Sequence, residues 1–326
     1  MSESGLNGRP GAKAFLIGAP VMLAGAATAL YKIASVFYNG VLRRGRNKMM
    51  DMPIVTGAPE QTVLKEDAFT AEDIRWAETA LSSEHTITSH DGLTLYARAY
   101  TQASPGWVIA VHGYTGSGGE MTGVARQFYE RGFNVLLPDC RGHGQSGGDY
   151  IGMGWHDRMD IINWARQIAG WDPGCRIALY GLSMGAAAVM MASGEELPEN
   201  IKCLIEDCGY TSVADEFSYH LKNSFKIPRF PLLNSVDWLC KLHAGFRFKE
   251  ASALEQIKKC KLPILFIHGE EDHFVPTEMV YRLYEAAAGE KELFVVPGAG
   301  HGVSGRVSRA PYWEKIEAFT RRYIII

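Results

Sequence analysis

The stretch Arg176-Ile-Ala-Leu-Tyr180, Gly181-Leu182-Ser183-Met184-Gly185, Ala186-Ala-Ala-Val-Met-Met-Ala192 changes character halfway along. An apolar run of strand length gives way to G-x-S-x-G and then to small helix formers. A serine on a sharp strand-to-helix turn has strained backbone angles and little clearance. Glycines two residues before and after it remove the side chains that would collide there. Such a turn lifts the hydroxyl out of the sheet edge, and the helix N-terminus behind it aims N–H groups at developing negative charge. Taken alone, the same letters also describe a glycine-rich turn with a serine N-cap, so the rest of the chain decides.

A serine hydroxyl needs a histidine to take its proton and a carboxylate to orient that histidine. On an open parallel sheet these belong on loops after later strands, in the order Ser, acid, His. Leu262-Pro-Ile-Leu-Phe-Ile-His268 reads as a buried strand and runs into Gly269-Glu270-Glu271-Asp272. Glu292-Leu-Phe-Val-Val296 reads as the next strand and runs into Pro297-Gly298-Ala299-Gly300-His301-Gly302. Ser183, Asp272 and His301 are therefore the expected catalytic residues. Asp207, which follows the run Ile201–Glu206, is the rival acid. Asp272 can also be read as a turn aspartate ahead of Pro276, with Glu270 or Glu271 supplying the carboxylate. His143 and His156 are expected to shape loops around the site, and His268 and His273 to line it.

An oxyanion hole requires two backbone donors. Met184 follows the nucleophile. Tyr114 lies in His112-Gly113-Tyr114-Thr115-Gly116, after the strand-like run Trp107–Val111, with its side chain placed as a roof.

The segments H-G-Y-T-G, P-D-C-R-G-H-G-Q-S, G-L-S-M-G, H-G-E-E-D-H-F-V-P and G-A-G-H, between about Glu84 and Arg322, resemble the α/β-hydrolase superfamily. Within it, the chain is similar to the serine aminopeptidase-like, Bem46-like bacterial hydrolases, which often carry an N-terminal hydrophobic segment. The resemblance implies a Ser-His-Asp hydrolase and an α/β-hydrolase fold; it fixes no substrate. Alternating strand and helix patterns from Thr86 onward point the same way, to a mostly parallel doubly wound sheet. Gly152–Ala169 reads as an amphipathic helix with Trp155, Met159, Ile162 and Ala165/Arg166 on one side and Asp157, Arg158 and Asp160 elsewhere. The first hairpin is expected at His90-Asp91-Gly92.

The alternation stops between about 209 and 259. This insert carries Tyr210, Phe217, Phe225, Phe230, Trp238, Phe246 and Phe248, with breaks at Pro228 and Pro231, and reads as a helical cap. Most of its aromatics should glue it down. Phe217 and Trp238, with His143, are candidate substrate-binding residues, favouring an apolar acyl or alcohol group.

The chain has 326 residues, 47% hydrophobic and 21% charged, with net charge −3, so no electrostatic case for nucleic acid arises. Neither a P-loop, nor a dinucleotide G-x-G-x-x-G, nor a paired-cysteine metal spacing occurs, and no cofactor or metal is expected. Six widely spaced cysteines read as buried free thiols.

Residues 1–50 form an expected N-terminal unit, 51–83 a linker and helix, and 84–326 the hydrolase domain. Ala14–Tyr31 contains no charged residue. A membrane anchor is the first reading, a cleaved signal peptide the second and a packed helix the third. Arg43, Arg44, Arg46 and Lys48 follow the run, against Arg9 and Lys13 before it, which favours a cytoplasmic catalytic domain; secretion is the alternative. The expected activity is ester hydrolysis through an acyl-enzyme on a small-molecule substrate. Amide or peptide cleavage, and ligand binding without turnover, are the alternatives. An aminopeptidase would need acids for a substrate ammonium, and Glu206, Asp207, Asp215 and Glu216 are the candidates.

Overall fold

Valine-, isoleucine- and leucine-rich runs separated by helical patterns form one eight-stranded sheet in the computed structural model, which describes residues 11–46, 49 and 70–326, with side chains from Gly25 onward. The first half comprises α1 (Gly11–Val41), α2 (Ala71–Thr79), β1 (Ser82–Thr88), β2 (Thr94–Tyr100), β3 (Gly106–Val111), α3 (Thr122–Glu130), β4 (Asn134–Pro138) and α4 (Asp157–Trp171). Then come β5 (Arg176–Leu182), α5 (Met184–Ala192), β6 (Ile201–Asp207), α6 (Val213–Asn223), α7 (Leu232–Ala244) and α8 (Ala253–Ile257). The chain closes with β7 (Ile264–Gly269), α9 (Glu278–Ala286), β8 (Lys291–Val296), α10 (Ser304–Val307) and α11 (Arg309–Thr320).

The strand order is β1-β2-β4-β3-β5-β6-β7-β8. β1 and β2 form the expected antiparallel hairpin, turning at Gly92 with φ 87°, and β2 pairs antiparallel with β4. All later pairings are parallel. β3 and β7 are buried along their whole length, as strands covered on both faces must be. One core contains Trp164, Met190 and Leu239; the other, across the sheet, contains Phe128, Tyr180 and Trp313. The strand order reverses between β3 and β5, and the crevice beyond their carboxyl ends is where such sheets place ligands.

The helix expected over Gly152–Ala169 begins instead at Asp157, after Gly154 with φ 82°. Its buried stripe includes Asp157, Asp160, Ile161, Trp164 and Ile168. The two acids thus belong to the buried stripe rather than lying apart from it. Asp160 pairs with the buried Arg141 at 2.8 Å, and Asp157 accepts from the Gly154 N–H at 3.0 Å. α2 carries acidic residues at its start, as expected, and Thr70 and Asp73 close a capping box there.

α6, α7 and α8 lie between β6 and β7, with Pro228 and Pro231 between the first two helices. Tyr210, Phe217, Phe246 and Phe248 are buried in this region, which is the gluing role expected of most of its aromatics.

The N-terminal region departs from the expected boundary at residue 50. Ala34, Tyr38, Val41 and Leu42 are buried in the main core. The Leu42 carbonyl accepts from the Ile151 N–H at 2.7 Å, and the Arg44 guanidinium donates to the Ser146 and Gly144 carbonyls at 2.6 and 2.7 Å. Residues 34–44 are built into the same body as the sheet. Among the described residues no helix is long and apolar enough to cross a membrane. The first part of the uncharged run Ala14–Tyr31 lies outside the residues whose side chains are described, and most of the 51–83 linker lies outside the described residues altogether. All six cysteines are free and buried, as expected.

Candidate active site

Ser183 stands between β5 and α5 with φ 55° and ψ −114°. Such a backbone is costly for a residue with a Cβ and persists only where its surroundings fix it. The flanking glycines explain how. A Cβ on Gly181 would strike the Gly185 carbonyl, and a Cβ on Gly185 would strike the Val111 carbonyl of β3. The Ser183 N–H donates to the Asp207 carbonyl at 2.8 Å, which locks the turn to β6.

Two loops bring the partners. His301 Nε2 lies 2.8 Å from Ser183 Oγ, and His301 Nδ1 lies 2.7 Å from Asp272 Oδ2. A carboxylate can only accept, so Nδ1 carries the proton and Nε2 is left to accept from the serine hydroxyl. Asp272 Oδ1 accepts from the Phe274 and Val275 N–H groups, both at 2.9 Å. Burial alone would push the Asp272 carboxyl up, but the electrostatic pull of the adjoining His301 ring and hydrogen bonds from His268 and His301 outweigh it. The carboxyl is held well below the usual range. Asp272 therefore stays ionised where His301 needs an acceptor.

The residues expected to offer oxyanion donors, Met184 and Tyr114, flank Ser183 in the sequence of elements. Met184 is the first residue of α5, so its N–H is among the first-turn donors that have no helical acceptor. Gly113 and Tyr114 follow β3, and a Cβ on Gly113 would sit 3.5 Å from Ser183 Cβ. The Tyr114 phenol does not roof the site: it turns to α1 and donates to the Val41 carbonyl at 2.5 Å. His112 locks the same loop from beneath. Its Nδ1 lies 2.7 Å from the Gly113 carbonyl, and its Nε2 accepts from the Cys140 N–H at 3.0 Å. Burial, then the neighbouring His143, lowers its pKa to about 3, so the ring stays neutral in this bridging tautomer.

Asp207 is not a hydrogen-bond partner of His301. It is buried at the end of β6 and accepts from the Tyr312 hydroxyl at 2.7 Å, which in turn meets the Tyr180 hydroxyl at 2.8 Å. Burial lifts its carboxyl to about 6, against the pull of Tyr312 and the nearby imidazoles. Nor do the candidate substrate residues line one cleft. Phe217 is buried edge-on against Phe248 at 5.0 Å, and His143 is buried against His112 at 4.9 Å. Trp238 is 51% exposed on the outer face of α7.

Three features escape the sequence pattern. The fully buried His268 places Nε2 at 2.9 Å from the Val275 carbonyl and 3.3 Å from Asp272 Oδ2. Its Nδ1 has no partner, which puts the proton on Nε2 and makes this ring a second support for Asp272. α6 grips the acid loop: the Tyr219 hydroxyl donates to the His273 carbonyl at 3.0 Å, and the His220 ring packs on Phe274 at 4.7 Å. Phe274 packs in turn on His301 at 4.8 Å. Cys208, at φ 53°, brings its sulfur, an Asp272 oxygen and a His301 nitrogen within 4.8 Å of one another. Cation binding there would have to break the hydrogen bond between His301 and Asp272, and burial keeps the Cys208 thiol well above its usual pKa, hence protonated. Separately, a surface depression of about 700 Å³ beside Gln102, Pro105, Gly132 and Ile326 lies at the opposite end of the sheet from Ser183.

Residues 102–229 match a family described as serine aminopeptidase, S33, and residues 174–304 match one described as serine hydrolase (FSH1). The uncharacterised protein YqkD of Bacillus subtilis is 31% identical over 217 residues, covering 66% of this chain and 71% of that protein. The lysophosphatidylserine lipase ABHD12 of Macaca fascicularis is 25% identical over 227 residues, covering 67% of this chain and 49% of the lipase. Among solved structures, the Pyrococcus furiosus esterase Pf2001 superposes with a TM-score of 0.64 at 26% identity, covering 79% of this chain and 95% of the esterase.

Proposed function

The chain belongs to the α/β-hydrolase superfamily, in its serine aminopeptidase-like, Bem46-like branch, and on that premise we propose that it hydrolyses carboxylic esters through an acyl-enzyme on Ser183. The observation that carries this reading is the unbroken hydrogen-bonded chain Ser183 Oγ, His301, Asp272 at a strained elbow. Ser183 attacks the ester carbonyl while His301 Nε2 takes its proton and then returns it to the leaving alcohol. Asp272 holds the imidazole and balances its charge. The Met184 and Tyr114 N–H groups bind the tetrahedral oxygen. Water repeats the sequence to free the acid and restore Ser183.

Esters are preferred to aminoacyl substrates because each acid proposed for holding an ammonium is either buried or already paired. Glu206, Asp207 and Glu216 are buried, and Asp215 pairs with Arg282 at 3.2 Å. The similarity to a lipase and an esterase supports the same choice. The deciding measurement sets p-nitrophenyl esters of increasing acyl length beside aminoacyl-anilides. Faster anilide turnover would replace the ester reading with a peptidase. Failure of the folded protein to react with a fluorophosphonate at Ser183 would favour ligand binding without chemistry.

The N-terminal part of α1 is proposed as a membrane anchor, with the catalytic body on the cytoplasmic side. The support is the uncharged run Ala14–Tyr31 and the basic residues after it. Flotation of the full-length chain with membranes that resists high salt is the expected result. Recovery of the uncleaved chain in the soluble fraction would reject the anchor.

A further inference from the structure

Half of the large apolar side chains exposed among the described residues lie on two helices that pack together and on the turn before the second: Tyr31, Ile33 and Val36 on α1, Phe230 just before α7, and Trp238 and Leu242 on α7. The others, such as Ile74, Trp171 and Tyr281, are scattered singly over separate elements. Isolated exposed apolar groups are ordinary; a concentration of them marks a surface that meets something. α1 and α7 pack on one another. The pair is pinned where Tyr38 meets His243 at 5.2 Å and where Phe37 meets Phe225 at 5.5 Å, in the loop leading to α7.

The charges around these residues have one sign in excess. Lys32 lies between Tyr31 and Ile33, and Lys226 and Arg229 precede Phe230. All three are exposed and enter no ion pair among the described residues. The nearby acids are engaged: Asp237 with Arg247 at 3.0 Å, and Glu250 with Lys241 at 3.4 Å. Finally, the region is continuous in the chain with Ala14–Tyr31, and Tyr31 ends that uncharged run. Tyrosine and tryptophan at such a junction, with lysine and arginine beside them, are the side chains that suit the boundary between headgroups and acyl chains.

We propose that the α1–α7 face of the cap docks on an anionic lipid bilayer, with Phe230, Trp238 and Leu242 entering the headgroup boundary and Lys32, Lys226 and Arg229 meeting lipid phosphates. This rests on the anchor reading only for how the chain reaches the bilayer; the face itself is a separate contact. Residues 34–42 are packed into the body, so a bilayer that receives the start of α1 also lies close to this face.

All six native cysteines are buried, so a single introduced thiol can carry an environment-sensitive fluorophore. Leu242→Cys and Phe230→Cys replace side chains that are 61% and 75% exposed, and the core is left intact. Val307→Cys, on α10, is the control. The full-length chain is mixed with vesicles of phosphatidylcholine, alone or with phosphatidylglycerol, and flotation is read from the same samples. The expected result is a several-fold rise and blue shift of emission at positions 242 and 230 with the anionic vesicles, a smaller change with phosphatidylcholine alone, and none at 307. A chain that floats while both labels stay unchanged overturns the docking face and leaves the anchor standing. A chain that neither floats nor changes emission overturns both. An equal response to neutral and anionic vesicles removes the role given to the lysines and arginine. Emission that changes with protein concentration in the absence of vesicles makes the face an interface between two copies, and the bilayer proposal falls.

Discussion

The Tyr114 hydroxyl donates to the Val41 carbonyl at 2.5 Å, and so the loop proposed to offer an oxyanion donor is tied to the last residue of α1. The N-terminal helix is thereby joined to the loop beside Ser183 as well as to the core. A chain beginning at Asp51 loses the buried Tyr38, Val41 and Leu42, each worth roughly 1.5–3 kcal/mol of apolar burial. That total is comparable with the whole stability of an ordinary domain. Such a chain is expected to be insoluble or to melt far below the parent, whereas one beginning at Gly25 keeps these contacts. Thermal melts and p-nitrophenyl acetate turnover of the two truncations provide the check. A stable, fully active chain from Asp51 would show that the packing of α1 is dispensable.

Tyr114→Phe isolates the hydrogen bond. Its backbone donor is kept, so activity is expected to fall only modestly, with a stability loss of about 1 kcal/mol. A folded but inactive Phe variant would mean that the phenol itself takes part in the reaction.

Ser183→Ala is expected to remain folded and to lose ester hydrolysis by roughly three orders of magnitude or more. Fluorophosphonate labelling should vanish with it. Most of the activity surviving in this variant would reject Ser183 as the nucleophile.

Asp272→Asn and Asp207→Asn should separate cleanly. An amide at 272 can donate to His301 Nδ1 and hold the wrong tautomer, for a loss on the order of 10⁴ in kcat. Asp207 meets Tyr312, not His301, so its variant is expected to keep most activity. An inactive Asp207→Asn beside an active Asp272→Asn would exchange their roles.

Asp207 also gives a pH signature. Its carboxyl titrates near 6 in the folded chain, raised from 3.8 by burial. The folded state therefore binds this proton more tightly than the unfolded state does. The associated stabilisation is complete below about 4 and is lost as pH rises through about 6, a change on the order of 2–3 kcal/mol. Asp207→Asn removes this dependence. Its stability relative to the parent is expected to improve between those limits, as measured by denaturant melts across pH. A constant difference would show that Asp207 is ionised throughout.

The parts of the site that were legible in the sequence are those whose geometry is imposed locally. Gly181 and Gly185 are required by backbone approach at one turn, and Asp272 and His301 follow strands whose apolar runs are plain. The alternation of strands and helices carried the sheet for the same reason. Features set by distant partners were not legible. Asp157 and Asp160 were set apart from the apolar side of their helix because nothing nearby in sequence announces Arg141 as a buried partner of Asp160, or the Gly154 N–H as a donor to Asp157. The Tyr114 phenol was placed as a roof because its acceptor, Val41, lies far upstream in a segment that composition alone marks as separable. Phe217 and Trp238 look alike as aromatic letters, and only packing distinguishes the buried ring from the exposed one.

The relay of rings from α6 to His301 supports the last prediction. His220 packs on Phe274, and Phe274 packs on His301, with centroids 4.7 and 4.8 Å apart. The Phe274 N–H donates to Asp272, so one residue touches both the base and the acid. Phe274→Leu keeps the backbone donor and removes the aromatic contacts, which are worth about 0.5–1.5 kcal/mol each. If that energy restrains the imidazole during proton transfer, kcat falls by up to roughly tenfold while KM for a short ester stays near its original value. Loss of general packing would instead lower the melting temperature and leave the kcat of the surviving folded fraction unchanged. His220→Phe preserves a ring against Phe274 and is expected to retain more kcat than His220→Ala. Equal losses in these two variants would show that ring contact is not what α6 contributes, and would leave the Tyr219 hydrogen bond to the His273 carbonyl as its hold on the acid loop.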